Sequence, residues 1–478
     1  MKKLIVKTLA VLLLVLLVPA GALTAALAIP AQYSETYYGE LPEMYDRLKG
    51  TQGKKIVLVG CSGLVFGVNG ALLEQEFPGY TVCPFALYGS VGTKAMMELS
   101  RTSISEGDIV ILAPEIGPQT LSLYFNGENM WLASDGRADI LRDLPAEEAA
   151  NMAEALPAFL SGKYRCWKEE APPRPEGVYA RSSFNERCDL IYERPCNIMD
   201  AGFDPTSPVS YDTGIIAEDF LPYVNEFNRW VTGRGAVLLF TFTPVNRAGI
   251  REGEGEAEIL AFAEHVIRQL DCPVIGDPRD LVLDPEWFYD SNVHCNSAGT
   301  LVYTRLLAEA VKAWQGDTSP TRVPIPEKPP MQGRQEEEQG EDADAGCFVY
   351  EETERGYVIT GLTAQGASRQ TLTVPVHTPD GKAVRGLSAS AFAGNTVIRE
   401  IRLQSNIRAL ENHSFDGCTA LVAVYLAPGE APSYCQVDPS GGLTAGAPQL
   451  RIYVEKDKLT DYLFNYFWSG YGSVLEGY

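Results

Sequence analysis

The chain has 478 residues, with 62 Asp and Glu against 39 Lys and Arg, for a formal net charge of −23. So acidic a surface excludes nucleic acid and electrostatic capture by anionic lipid headgroups, since both need a cationic complement. Hydrophobic residues at 45% give enough core for two or three domains, while ten Cys without a Cys-x-x-Cys pair and four His exclude a disulfide scaffold and a Cys/His zinc site.

The chain opens Met1-Lys2-Lys3, adds Lys7, and then runs apolar from Leu9 to Ile29, broken by Pro19, Gly21 and Thr24. A cationic start followed by about 20 apolar residues is a segment that can enter or cross a bilayer. Ala25, Ala26 and Ala28 suit signal peptidase, whereas the length of the run suits an uncleaved anchor; both remain open. In either case the lysines stay in the cytoplasm and everything after Gln32 is exported. Residues 1–32 therefore read as a signal peptide or membrane anchor, and the rest is expected outside the cell or at its surface. Cys166, Cys188 and Cys196 cluster in one exported stretch and are candidates for pairing.

Residues 33–315 alternate strand and helix patterns. Lys55-Ile56-Val57-Leu58-Val59-Gly60 is a continuous apolar run, the mark of a strand buried on both faces. Tyr80 to Phe85, Asp108 to Ala113 and Ala236 to Phe242 read the same way, with helical patterns over Ala71 to Phe77, Thr93 to Ile104, Glu254 to Leu270 and Asn296 to Trp314. This alternation predicts a parallel sheet with helices on both faces, whose ligands sit beyond the carboxyl ends of the strands. An insertion of about residues 117–221, with a helical stretch near Ala146 to Leu160, is a candidate lid or substrate-binding element. Residues 316–346, Pro-rich and then acidic, read as an extended, solvated linker.

Residues 347–478 contain a repeat. Leu387, Phe392, Gly394 and Ile401 recur as Leu410, Phe415, Gly417 and Val424, each 23 residues on. A fixed period in the twenties signals a solenoid whose units bury their apolar sides on one another. The pattern resembles the BspA-type leucine-rich repeats of bacterial surface proteins, and the Tyr-rich tail from Leu450 resembles the cap that follows such repeats. The resemblance implies a module that binds a surface polymer or a protein. His377 and His413 read as surface residues.

Chemistry is sought in two loops. After the first strand comes Gly60-Cys61-Ser62-Gly63, a serine where strand turns into helix, next to helix-start amides. No Gly-x-Ser-x-Gly elbow is present, which disfavours an ordinary α/β-hydrolase. Just before the last helix comes Asp290-Ser291-Asn292-Val293-His294, where a carboxylate can hold the tautomer of an imidazole four residues on. His265 lies in a helical pattern and reads as surface, leaving His294 as the candidate base.

Together these blocks resemble the SGNH, or GDSL-like, hydrolase superfamily over about Lys54 to Trp314. The resemblance implies a three-layer α/β/α, flavodoxin-like domain. It makes Ser62 the nucleophile, His294 the base and Asp290 its partner, with the amides of Ser62 and Gly89 (in Tyr88-Gly89-Ser90) as oxyanion donors. Two positions depart from that pattern: Cys61 stands where Asp is usual, and the third block, Ala113-Pro114-Glu115-Ile116-Gly117, has no Asn. An ionised Glu115 would repel an oxyanion. Glu115 and Arg247 are possible substrate contacts, and Cys61 reads as a packing residue. The departures resemble the exported acyl-transferring branches of the superfamily. The expectation is an exported serine esterase or O-acyltransferase acting on acylated glycans, needing no metal or cofactor. The alternative is an inactive relative that binds a polymer or protein through its repeats.

Overall fold

The computed structural model describes residues 28–478 together with 17, 20, 21 and 24, apart from 200, 332–340, 354–355, 390, 408, 430–434, 438–441, 445, 464 and 466. The leader expected over residues 1–32 thus falls for the greater part outside the described residues. So does the acidic run Glu336-Glu337-Glu338. Among the described residues no helix is long and apolar enough to cross a membrane.

Four strands, β1 (Lys54–Gly60), β2 (Tyr80–Ala86), β3 (Ile109–Ala113) and β4 (Val237–Phe240), form a parallel sheet in the order β2-β1-β3-β4. A parallel bridge from Phe240 to Val274 extends it. Every residue of β3 and all of β1 after Lys54 are buried, which is why these strands read as unbroken apolar runs. The exception, Lys55, is held by Asp108 at 2.8 Å. Helices Glu40–Gly50, Thr93–Ser100 and Phe220–Gly233 cover one face; Tyr223 bonds Glu98 across the last two. Helices Ser62–Gly67, Gly70–Glu76 and Ser297–Gln315 cover the other, tied by the buried Lys312–Glu76 ion pair. The fold is a three-layer α/β/α domain with the strand order of flavodoxin.

The insertion departs from its sequence reading. Its helix runs Ala149–Glu169, past Leu160, with Pro157 inside it on the exposed side. The linker is only partly solvated: Val323 is buried, the Arg322 amide bonds Glu76, and Lys328 reaches Asp284. An apolar residue among the prolines is enough to seat that stretch on the domain. Cys166, Cys188 and Cys196 carry free thiols and do not pair with one another.

In the C-terminal part, strands Thr371–Thr373, Glu400–Arg402, Ala423–Tyr425, Arg451–Val454 and Leu475–Gly477 stack as one parallel sheet. Glu400 pairs with Ala423 and Ile401 with Val424, an offset of 23 residues. Leu387, Phe392, Leu410 and Phe415 are buried in its core.

Candidate active site

Strand register places the first loop. Gly60 of β1 pairs with both Ala86 of β2 and Ala113 of β3. Two residues further along each strand stand Ser62, Tyr88 and Glu115, side by side at the carboxyl edge. At Gly60 any Cβ would lie 2.4 Å from the Ala113 carbonyl oxygen, so glycine alone permits this approach.

Ser62 opens the helix Ser62–Gly67, and its hydroxyl donates to Glu115 Oε1 at 2.8 Å. The same oxygen accepts the Gly63 amide at 2.5 Å. Glu115, expected as a substrate contact, is therefore taken up by the serine and by the helix start. Gly89 comes to the same place: a Cβ there would lie 3.6 Å from Glu115 Oε2. Cys61 is buried and bonded to Thr93 Oγ1 at 3.3 Å; burial, then the nearby Glu115 charge, pushes its thiol up, so it is no thiolate.

The second loop arrives from the far end of the domain. His294 Nδ1 and Asp290 Oδ1 are 2.8 Å apart. The Tyr179 hydroxyl donates to the other oxygen, Oδ2, at 2.6 Å. An imidazole that donates through Nδ1 keeps Nε2 as an acceptor. The His294 ring stacks on Phe66 with centroids 4.0 Å apart and an 11° tilt. Phe66 is one turn after Ser62 in the same short helix, so the His294 ring packs on the helix that Ser62 opens. The two loops also touch directly: a Cβ at Gly63 would lie 3.1 Å from the Glu115 side chain and 3.3 Å from the Val293 carbonyl oxygen.

The buried Arg194 guanidinium also lies over the Phe66 ring, 5.2 Å from its centroid. Arg194 donates to the Tyr192 and Cys295 carbonyls and to Thr300 Oγ1, which fixes residues 192–194 against the last loop. Burial draws its guanidinium down from its usual range. Three tyrosines wall the site: Tyr37 stacks on Tyr88 at 4.3 Å, and Tyr88 on Tyr179 at 5.8 Å. Burial holds the phenols of Tyr37 and Tyr179 well above their ordinary range; Arg194 opposes this at Tyr37, and Asp290 adds to it at Tyr179. Ser62 and His294 are 0% exposed and Asp290 2%, so the group is closed to solvent in this conformation.

Ser62, Gly89 and Glu115 thus come together, and the Asp290–His294 pair packs on the same helix through Phe66. Arg247 does not: its side chain is exposed, bonds Asp284 and the Val282 carbonyl, and borders a separate open cleft of about 540 Å³. Tyr179, Arg194, Tyr37 and Phe66 were not anticipated. Only Phe66 had a sequence signal, its spacing of four from Ser62. Among the described residues no group of three or more His, Cys, Asp and Glu side chains could hold a metal ion.

No family model matches the chain, and no curated protein does. Among solved structures, the crystal structure of protein YxiM from Bacillus subtilis aligns at 13% identity with a TM-score of 0.27, covering 55% of this chain and 58% of that one.

Proposed function

We propose that the chain is an exported serine esterase or O-acyltransferase of the SGNH kind, acting on acyl esters of surface glycans. The observation that carries this reading is the Asp290–His294 pair, 2.8 Å apart and seated on Phe66 one helical turn from Ser62. In the reaction, Ser62 Oγ attacks the ester carbonyl carbon while His294 Nε2 takes its proton. Asp290 holds the imidazolium, and the proton passes to the departing alkoxide. The acyl-serine ester is then cleaved by water or by a glycan hydroxyl, which gives hydrolysis or transfer. Two rearrangements precede attack: the tyrosine wall opens, and Glu115 releases the Ser62 hydroxyl. The repeats would dock the enzyme on a surface polymer or a protein.

One observation favours the second reading, a binding protein without turnover. The bonds from Ser62 and Gly63 to Glu115 are those of a carboxylate capping a helix, a purely structural role. A fluorophosphonate probe separates the two. Labelling at Ser62 that disappears in His294→Ala supports the enzyme, and a folded chain that never labels supports the binder. Release of acyl groups from acylated glycans, with Ser62→Ala as control, then identifies the substrate.

A further inference from the structure

We infer that the helix Ala149–Glu169 lies on the bilayer surface, with Tyr164 and Trp167 in the headgroup zone of the membrane that holds the N-terminal segment. The inference rests on reading that segment as an uncleaved anchor, and not on the serine chemistry. Tyr164 and Trp167 are each 49% exposed, with ring centroids 5.9 Å apart, and stand beside exposed Arg165 and Lys168. The helix carries two acids, Glu154 and its last residue Glu169, in a chain of net charge −23. The exposed side otherwise presents small residues, Ala149, Ala150, Ala153, Pro157, Ala158 and Ser161, together with Asn151. Two exposed aromatics flanked by two cations, beside mostly small residues, are what an interfacial helix offers: rings at headgroup depth and long cationic side chains reaching out to water.

What commits this face to a bilayer is where the apolar segment ends. The amides of Gln32 and Tyr33 donate to Asp135 Oδ2 at 2.6 and 3.3 Å, and Asp135 Oδ1 pairs with Lys163 of the helix at 2.5 Å. The Tyr33 ring packs 6.0 Å from Phe159, and its hydroxyl lies 3.0 Å from where a Cβ would stand on Gly162. The chain is thus pinned to the helix one turn before Tyr164 and Trp167. The apolar run ends at Ile29, three residues earlier, a span of about 11 Å at most. A segment embedded as far as Ile29 brings this helix face down onto the same leaflet.

The test uses the full chain reconstituted through its own N-terminal segment into phosphatidylcholine vesicles, with or without bromine on the acyl chains near the headgroup. Brominated lipid is expected to lower tryptophan emission of the wild type, and Trp167→Phe to abolish at least half of that loss. Trp314→Phe, in the last helix of the α/β/α domain, should leave the loss unchanged. An equal loss in wild type and Trp167→Phe, or a loss carried by Trp314, overturns the proposal, as does a chain that fails to float with the vesicles. Because fluorophosphonate labelling of Ser62 is read separately, failure here does not bear on the serine chemistry.

Discussion

Glu115 accepts the hydroxyl of Ser62, so the proposed nucleophile rests on a carboxylate rather than at an open carbonyl site. A negative charge this close opposes the charge that grows on the carbonyl oxygen during attack. Glu115→Gln keeps the shape, removes the charge and supplies an N–H donor. On the enzyme reading it should speed fluorophosphonate labelling of Ser62 by roughly ten-fold or more, about 1.4 kcal/mol. Second-order labelling rates measure this; a slower variant would instead make Glu115 the base that activates Ser62.

Tyr179 reaches Asp290 from the insertion, and hydrogen bonds to charged groups contribute about 1.5–3 kcal/mol. Tyr179→Phe should lower the thermal midpoint and slow labelling of Ser62 by roughly ten-fold, through a His294 less firmly oriented. Unchanged labelling with a lowered midpoint would restrict Tyr179 to the wall.

Glu40 is buried, with Arg181 Nη1 2.9 Å from its carboxylate. Burial pushes its carboxyl up to about 8, against a usual 4.5, with Arg181 opposing and Glu43 adding. Between those values the native state binds more protons than the unfolded one, so stability falls as pH rises from about 4.5 to about 8 and then levels off. Glu40→Gln should flatten that slope and make the chain more stable than wild type near pH 8, by a few kcal/mol. Urea midpoints across this range decide it; an identical slope in the variant would assign the pH dependence elsewhere.

Asp135 and Lys163 form a pair whose side chains are 3% and 0% exposed. Asp135→Ala takes the carboxylate away from the buried ammonium and releases the amides of residues 32 and 33. The expected cost is about 3–5 kcal/mol in urea denaturation. A loss under 1 kcal/mol would mean that water or another acceptor reaches Lys163.

In the repeats, Gly394 and Gly417 adopt φ of +74° and +73°, and a Cβ on Gly417 would lie 3.1 Å from Gly394 Cα. Gly417→Ala should cost about 1–2 kcal/mol from the left-handed backbone, plus the close contact. The loss should appear in the melting of the C-terminal part while Ser62 labelling is unaffected.

Strands β1 to β4 were legible because burial on both faces leaves an unbroken apolar signature; Phe392 and Phe415, 23 residues apart, are both buried in the C-terminal part. Ser62, Asp290 and His294 stood out as chemically suggestive residues in loops at the expected edge. The role of Glu115 did not, because it follows from the pairing of Gly60 with Ala113, and register is invisible in a single chain. Tyr179 and Arg194 sit in an insertion without periodicity, and their contacts reach across about 100 residues. The helix runs past the Leu160 expected for it, and Gly162 within it makes room for the Tyr33 hydroxyl.

Gly63 faces both the Glu115 side chain and the Val293 carbonyl, so one missing methyl group fixes the width between the two halves of the site. Ser62 and His294 are more than 200 residues apart in the chain. On the enzyme reading, a partly synthesised polypeptide would carry Ser62 with no imidazole to activate it, and reactivity would arrive only when the last helix of the domain closes.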